Sequence, residues 1–471
     1  MRAEAGEMPM GAAAPGLLGE VLLPIRAGGV PRGEVVFRGG DPVFATRLRI
    51  GEAAAAVLSA CGVAVNDLWE LRTGRRQSVE IEVRAAAAAL ISFAFLRGAQ
   101  PDAGLVRDAG PMTALYPAKG GEWVHLHGGF PHLRDGLLDL LGCQNEPASI
   151  GAAVARFDAQ ALEDAIAERN LCGARVREAS EWASHPQGRA LAAQPLVEIR
   201  RVGDAPAEAL PPGDRPLSGL RVLDLTRVLA GPTCARALAE HGADVMRVHA
   251  AHLPSVPPFV VDTGHGKLST ELDLRVPEEA ERFRSLVREG DVVSRGYRAG
   301  ALEKLGFGLE ELVALRPGLV CVAINCYGHE GPWRERAGWE QLAQTVTGIA
   351  AEQGGRETPG LLPAAATDYT TGYLAALGAL VALQRRAREG GSWEVRVSLA
   401  RTGMWLLGQS RVDGTPGFLN DELLEPYFAT TKTAAGPVRH LGPVLGLSET
   451  PARWARPTVP LGSHPPIWPD R

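Results

Sequence analysis

The strongest constraint on the fold of this chain is a change of rhythm after residue 215. From there, short apolar runs alternate with helical stretches. Arg221–Leu225, Asp244–Val248, Asp291–Val293 and Leu319–Asn325 read as strands, with helices at Ala235–His241 and Pro277–Glu289. Short runs that are almost wholly apolar suit strands covered on both faces. Strands alternating with helices argue a parallel, doubly wound sheet, since a parallel pair needs a crossover connection. The fold class expected is therefore α/β, a doubly wound, mainly parallel sheet forming a large domain, beside a smaller α+β domain. Such sheets bind ligands at the carboxyl ends of their strands, which points to the loop Thr226–Pro232. No GxGxxG and no GxxxxGK[ST] is present, so dinucleotide and P-loop readings lack support.

One stretch combines a carboxylate with a long apolar helix. Pro363–Arg386 reads PAAATDYTTGYLAALGALVALQRR: a small-residue loop, then Asp368, then an apolar run at helical spacing that closes on Arg385 and Arg386. Asp368 stands at a helix mouth, where backbone N–H groups lack partners. It is either a cap, the commoner role of Asp in that position, or a nucleophile kept ionised by the helix N-terminus.

The part before residue 215 is organised differently. Gly51–Leu71 and Ala85–Leu96 read as helices and Ser78–Arg84 as a strand. The segment from Arg72 (RTGRRQSVEIEV) shares its pattern with the one from Arg388 (REGGSWEVRVSL), and each follows an Ala-rich helix. The shared pattern leads us to expect an internal duplication of a helix–strand–helix unit. Aligned without gaps, Glu52 falls opposite Asp368; matching Gly51 to Gly372 puts Arg47 there instead. Glu52 is thus a second candidate, with a first-turn helix charge as the plainer reading. Residues 105–205 read as a small α+β unit with a strand at Glu122–His127 and helices at Leu133–Leu141, Ala161–Arg169 and Ala179–Ala193. His125 and His127 share a face of that strand, but no third ligand has usable spacing, so no metal site is expected. Asp204–Arg215 is a Pro-rich linker.

Composition narrows the function. A net charge of −5 over 471 residues argues against nucleic-acid and membrane-surface partners. No stretch reads as a membrane span or a signal peptide, and the six scattered cysteines form no CxxC, as in a reduced cytoplasmic protein.

The motifs after the linker resemble family III CoA-transferases, the CaiB/BaiF group. They run in order over residues 215–410: Pro216–Pro232 (PLSGLRVLDLTRVLAGP), His241–Val248, Gly266–Arg275, Gly300–Phe307, Tyr327–Pro332 and Asp368-Tyr-Thr-Thr-Gly372. The resemblance divides the chain into a partial repeat (1–104), a small domain (105–205), a linker (206–215), a Rossmann-like CoA-binding large domain (216–410) and a closing segment (411–471), with the small domain ahead of its usual place. It implies transfer of CoA between an acyl-CoA and a free carboxylic acid. Asp368 would be the nucleophile and Glu340 an assisting acid, with CoA thioester as substrate, no tightly bound cofactor and a homodimer as assembly. By the same resemblance CoA would contact Arg227, Val228, Leu229 and Ala230; Leu272, Asp273, Leu274 and Arg275; Gly296, Tyr297 and Arg298; and Lys304. Arg275, Arg298 and Lys304 are the expected phosphate partners. The chain departs at Ala250, where relatives often carry a basic residue. Related racemases pair the Asp with a His; here Gly338-Trp339-Glu340 puts Trp in that place, which disfavours two-base racemisation. An acyl-CoA isomerase or lyase with Asp368 as base, and a non-catalytic CoA-binding protein, remain the alternatives.

Overall fold

The computed structural model describes residues 13–98, 110–416 and 419–470. The first residues of the chain, and those opening the small unit, fall outside them. The strands in chain order are β1 (Val35–Arg38), β2 (Val79–Glu82), β3 (Arg97–Gly98), β4 (Thr113–Pro117), β5 (Trp123–His127), β6 (Gly173–Arg175), β7 (Glu198–Gly203), β8 (Arg221–Leu225), β9 (Asp244–His249), β10 (Lys267–Glu271), β11 (Val292–Arg295), β12 (Val320–Asn325), β13 (Ser392–Ser398), β14 (Phe428–Thr433), β15 (Gly436–Leu441) and β16 (Gly446–Leu447). The large sheet has seven strands in the order β10-β9-β8-β11-β12-β13-β7. All its pairs are parallel except β13 with β7. The order reverses between β8 and β11, which is the crevice where open sheets of this kind take ligands. One face carries the helices Ala230–Ala239 and Ala366–Glu389, the other Pro277–Arg288 with its own core around Phe283 and Phe307.

The structure corrects several sequence boundaries. β10 was not anticipated, nor was the helix Pro147–Val154. The helix expected over Ala85–Leu96 stops at Ala89 and gives way to a 3-10 turn at Ser92–Phe95. The stretch Ala179–Ala193 breaks at Pro186, whose ring cannot continue a helix. β7 falls inside the segment assigned to the small unit but is the edge of the large sheet. Its charges (EIRRVG) suit an edge. Against the expectation that no stretch is long and apolar enough to span a membrane, the helix Ile50–Thr73 is. Its apolar window is 89% buried, packed against the helices Ala14–Leu22 and Ala366–Glu389.

The two halves share local geometry at corresponding positions. A shift of 316 residues carries the helix Ile50–Thr73 onto Ala366–Glu389, both of 24 residues, and the next helix start from Val83 to Leu399. The residue before each long helix has the same backbone, φ −78° and ψ 55° at Arg49, φ −80° and ψ 58° at Ala365. Gly62 and Gly378 occupy equivalent sites, and each lets its helix close on the equivalent strand valine. An added Cβ would lie 2.8 Å from Val79 and 2.3 Å from Val395. The small sheet β1-β2-β16 repeats the edge β12-β13-β7: a parallel pair followed by an antiparallel third strand. The third strands are exchanged. β7 follows the first copy's small unit and joins the second copy's sheet, whereas β16 ends the second copy and joins the first copy's sheet.

Candidate active site

The mouth of the helix Ala366–Glu389 is closed by a carboxylate from elsewhere in the chain. Ala365 makes no side-chain cap. Glu340, which opens the helix Glu340–Thr347, fills that role. Its carboxylate accepts the Thr367 N–H at 3.1 Å, the Asp368 N–H at 2.6 Å and the Gln344 amide at 2.7 Å, and also the Thr367 hydroxyl. The positive end of the helix therefore serves Glu340. Asp368 itself is 6% exposed, and no donor reaches its carboxyl among the described residues. Burial, and then the Glu340 charge, push Asp368 well above the usual carboxylate range. This reverses the expectation that the helix N-terminus keeps Asp368 ionised. Burial raises Glu340 too, opposed by its hydrogen bonds from Thr367 and Gln344. Of the two carboxyls, Glu340 is the one furnished with hydrogen-bond donors, and Asp368 is buried beside it without one among the described residues. The Cys326 thiol lies beside both and is driven up first by burial, then by the Asp368 charge.

Aromatic residues lead outward from this mouth. Trp339, immediately before Glu340, stacks on His127 at 4.3 Å and meets Phe130 edge-on at 4.9 Å. The Arg227 guanidinium lies 4.6 Å from the far partner, the Phe130 ring. Burial holds His127 at about 4 and His125 at about 3, so both are neutral packing groups at ordinary pH. His329 has its Nε2 facing the Val397 carbonyl at 3.2 Å and is not a substitute base.

Arg227 and Phe130 line a small cleft of about 30 Å³ at the carboxyl edge of β8, together with Thr226, Val228, Arg247 and Phe259. Its loop is held tightly. The buried Lys267 ammonium reaches Asp224 and the Pro232 carbonyl, both at 2.7 Å, and the Asp224 carboxylate also accepts the Thr226 hydroxyl. Burial brings Lys267 down to about 7 despite its partner. Val228 adopts φ 70°, a left-handed conformation that a β-branched side chain resists. Strain of this kind persists only where the surroundings impose it, as ligand sites do. Neither Arg227 nor Arg247 makes a direct ion pair with a carboxylate among the described residues, although the Asp224 charge acts on Arg247. Arg227 donates to the Pro254 carbonyl at 2.5 Å, and Arg247 to Thr263 Oγ1 at 2.7 Å and the Val260 carbonyl at 3.4 Å. Burial lowers both guanidiniums. Two desolvated cations facing one cleft make an anion site. Sequence reasoning missed Arg247; the signal was a cation inside the apolar run of a doubly covered strand.

The other expected contact residues share this edge to different degrees. Gly296, Tyr297 and Arg298 follow β11. An added Cβ on Gly296 would lie 3.5 Å from Thr226, and Arg227 acts on the half-buried Tyr297 phenol. Arg298 donates to the Asn170 carbonyl at 3.2 Å, and after burial it is the larger charge lowering His132. Leu229 and Ala230 are buried at the start of the helix Ala230–Ala239. Leu272 is core, and Leu274 packs beside it. Asp273 and Arg275 bind one another, Nη2 to Oδ2 at 2.6 Å, so Arg275 is not the free phosphate partner expected. Lys304 is exposed in the 3-10 turn Glu303–Leu305. Glu52, at the equivalent helix mouth, is 1% exposed and paired with Arg49 at 2.7 Å, and its N–H goes to Asp41 at 2.8 Å. Among the described residues no His, Cys, Asp or Glu cluster could hold a metal.

Comparison with known proteins bears on the same residues. Residues 217–439 match CoA-transferase family III. The chain is 33% identical over 321 residues to an acetyl-coenzyme A transferase of Hypoxylon pulicicidum, covering 63% of this chain and 54% of that protein. It is 36% identical over 189 residues to the beta subunit of a succinyl-CoA–L-malate CoA-transferase of Chloroflexus aurantiacus, covering 37% and 47%. A crystal structure of a CAIB/BAIF family protein from Brucella suis aligns at 28% identity over 48% of this chain and 65% of that one, with a TM-score of 0.37. The chain spans about half the length of the curated relatives it matches.

Proposed function

We propose that this chain, whose residues 217–439 match CoA-transferase family III, moves CoA between an acyl-CoA and a free carboxylic acid, with Asp368 as the covalent nucleophile. The observation that carries this reading is the unequal carboxyl pair: Glu340 takes the helix N–H groups, and Asp368 is desolvated without a donor. A carboxylate stripped of hydrogen bonds is the stronger nucleophile once ionised. In the first half-reaction, an Asp368 oxygen attacks the thioester carbonyl and the CoA thiolate leaves, giving an aspartyl–acyl anhydride. The thiolate then attacks the aspartyl carbonyl and releases the acyl carboxylate, leaving an aspartyl-CoA thioester. The acceptor carboxylate repeats the sequence in reverse and restores Asp368. The helix N–H groups of Thr367 and Asp368 are occupied by Glu340, so they do not serve as oxyanion donors. The CoA phosphates are assigned to Arg227 and Arg247, with Arg298 at the rim.

Incubation with butyryl-CoA and hydroxylamine, followed by peptide mass spectrometry, tests the assignment. A hydroxamate at Asp368 that is absent from Asp368→Asn supports it, and the variant should lose transfer activity by at least about 10³-fold. A labelled wild type with an unmodified Asp368 overturns it. The raised Asp368 carboxyl also suits a base at the α-carbon. Exchange of the α-hydrogen in heavy water without an acceptor acid would move the assignment to that chemistry.

A further inference from the structure

The two long helices begin alike, and each mouth is overlain by a turn from the other half of the chain. The turn after the helix Val83–Ala89 crosses the second copy's mouth: the Leu90 carbonyl accepts the Ala365 N–H at 3.1 Å, and the Ser92 hydroxyl bonds the Tyr369 phenol at 3.1 Å. The equivalent turn after Leu399–Gly408 crosses the first copy's mouth. There Arg49 donates to the Ser410 carbonyl at 3.2 Å, and the Val412 N–H to the Arg47 carbonyl at 2.9 Å. Such reciprocal overlay is what a two-fold pair of identical subunits shows. Here it is folded into one chain. The mouths then part. Arg49, where the second copy has Ala365, locks Glu52 in an ion pair, and the open carboxyl remains at Asp368 alone.

We propose that the first copy is a working part of the second copy's active site, so that one chain completes its site in cis, with Phe130 and Phe93 walling the path of the acyl-thioester arm. This rests on the CoA-thioester reading above. Phe130 belongs to the first copy's small unit and joins the arginine cleft to Trp339. Phe93 belongs to the crossing turn. It is half-buried, meets Phe259 of the cleft edge-on at 4.9 Å and lies parallel to Tyr369 at 6.5 Å. The arm between the CoA phosphates and the thioester is long and largely apolar, which aromatic walls accommodate. The linker that joins the copies is fastened where it enters the sheet, with both Glu208 oxygens on the Arg316 guanidinium at 2.6 and 2.8 Å.

The test measures transfer from butyryl-CoA by Phe130→Ala, Phe130→Leu, Phe93→Ala and Phe93→Asp in the full chain, with melting curves to confirm folding. Loss of a wall should raise KM for butyryl-CoA about tenfold with a smaller fall in kcat, and Phe130→Leu should recover most of it. A merely structural role would lower the amount of folded enzyme and leave KM unchanged. Asp368→Asn and Phe93→Asp chains are then co-expressed and purified together. A cis site gives no recovery of activity. Recovery to about a quarter of wild type means that the wall is supplied in trans and overturns the proposal. Unchanged KM in both alanine variants, with a wild type still labelled at Asp368, overturns the wall assignment and leaves the CoA reading standing. A wild type that takes no acyl group from butyryl-CoA overturns both.

Discussion

The chemistry turns on which of two adjacent carboxyls keeps its proton. The Asp368 carboxyl is raised in the folded chain above its ordinary value of about 3.9. The unfolded chain therefore gives up this proton more readily. Stability from this group is full below that value and declines as pH rises toward the folded pKa. Asp368→Asn removes the liability, so its melting temperature should exceed wild type at pH 8 and converge with it near pH 4. Thermal melts across that range check this, and a variant less stable at pH 8 would contradict it. Glu340→Gln removes the second cause of the shift. The Asp368 pKa then falls, and the acid limb of the transfer rate against pH should move to lower pH. An unmoved limb would mean that burial alone sets it. The sequence places Asp368 at a helix mouth, because the apolar spacing and Arg385–Arg386 mark both ends of that helix. It does not reveal that Glu340 takes the mouth, since Glu340 and Asp368 meet only when two separate helices close on each other. The cap reading weighed for Asp368 belongs to Glu340.

Two kinds of element hold these residues in place, a strained loop and a closely packed helix. Val228 at φ 70° costs about 1–3 kcal/mol, and a glycine there would lose about 0.4–1 kcal/mol through the unfolded chain. Val228→Gly should thus gain about 1 kcal/mol of stability, read as a higher denaturant midpoint at unchanged slope, while binding CoA more weakly as the loop loosens. A loss of stability would show that the loop is not strained. The helix Ala366–Glu389 approaches its neighbour through Gly372, where a Cβ would stand 2.5 Å from the Ala230 carbonyl oxygen. Gly372→Ala and Gly62→Ala should each cost about 1–3 kcal/mol. Only Gly372→Ala displaces the turn that carries Asp368, so transfer activity should fall with it and hold in Gly62→Ala; equal activities would refute that. The alternation of strands and helices made the parallel sheet legible before any coordinates. β10 was hidden because KLSTE lacks an apolar run, and Arg247 because a strand pattern says nothing of which side chain faces a cleft.

The molecule as a whole is set by strand exchange, which no local pattern could announce. β7 reads as a charged edge, and β16 is two residues long. The likeness of the two helix–strand–helix units was legible, because the two stretches align without gaps through a shared turn and strand. Its consequence was not, because it depends on which sheet each copy's last strand joins. Two independent domains on a linker would unfold in separate steps. Here neither sheet is complete without a strand from the far half of the chain, and the long helices of the two copies pack on each other in one core. Urea unfolding should therefore be a single transition, with tryptophan fluorescence and far-ultraviolet circular dichroism coinciding. Trp69 reports the first copy, Trp123 and Trp182 the small unit, and Trp393 and Trp468 the large sheet, so fluorescence samples every part. Substituting Leu447 by Pro would remove the N–H of a residue that β16 pairs with Val79. The whole transition should then move to lower urea. If the small sheet melted first, leaving the large sheet folded, the exchanged strand would be an ornament on two separable halves.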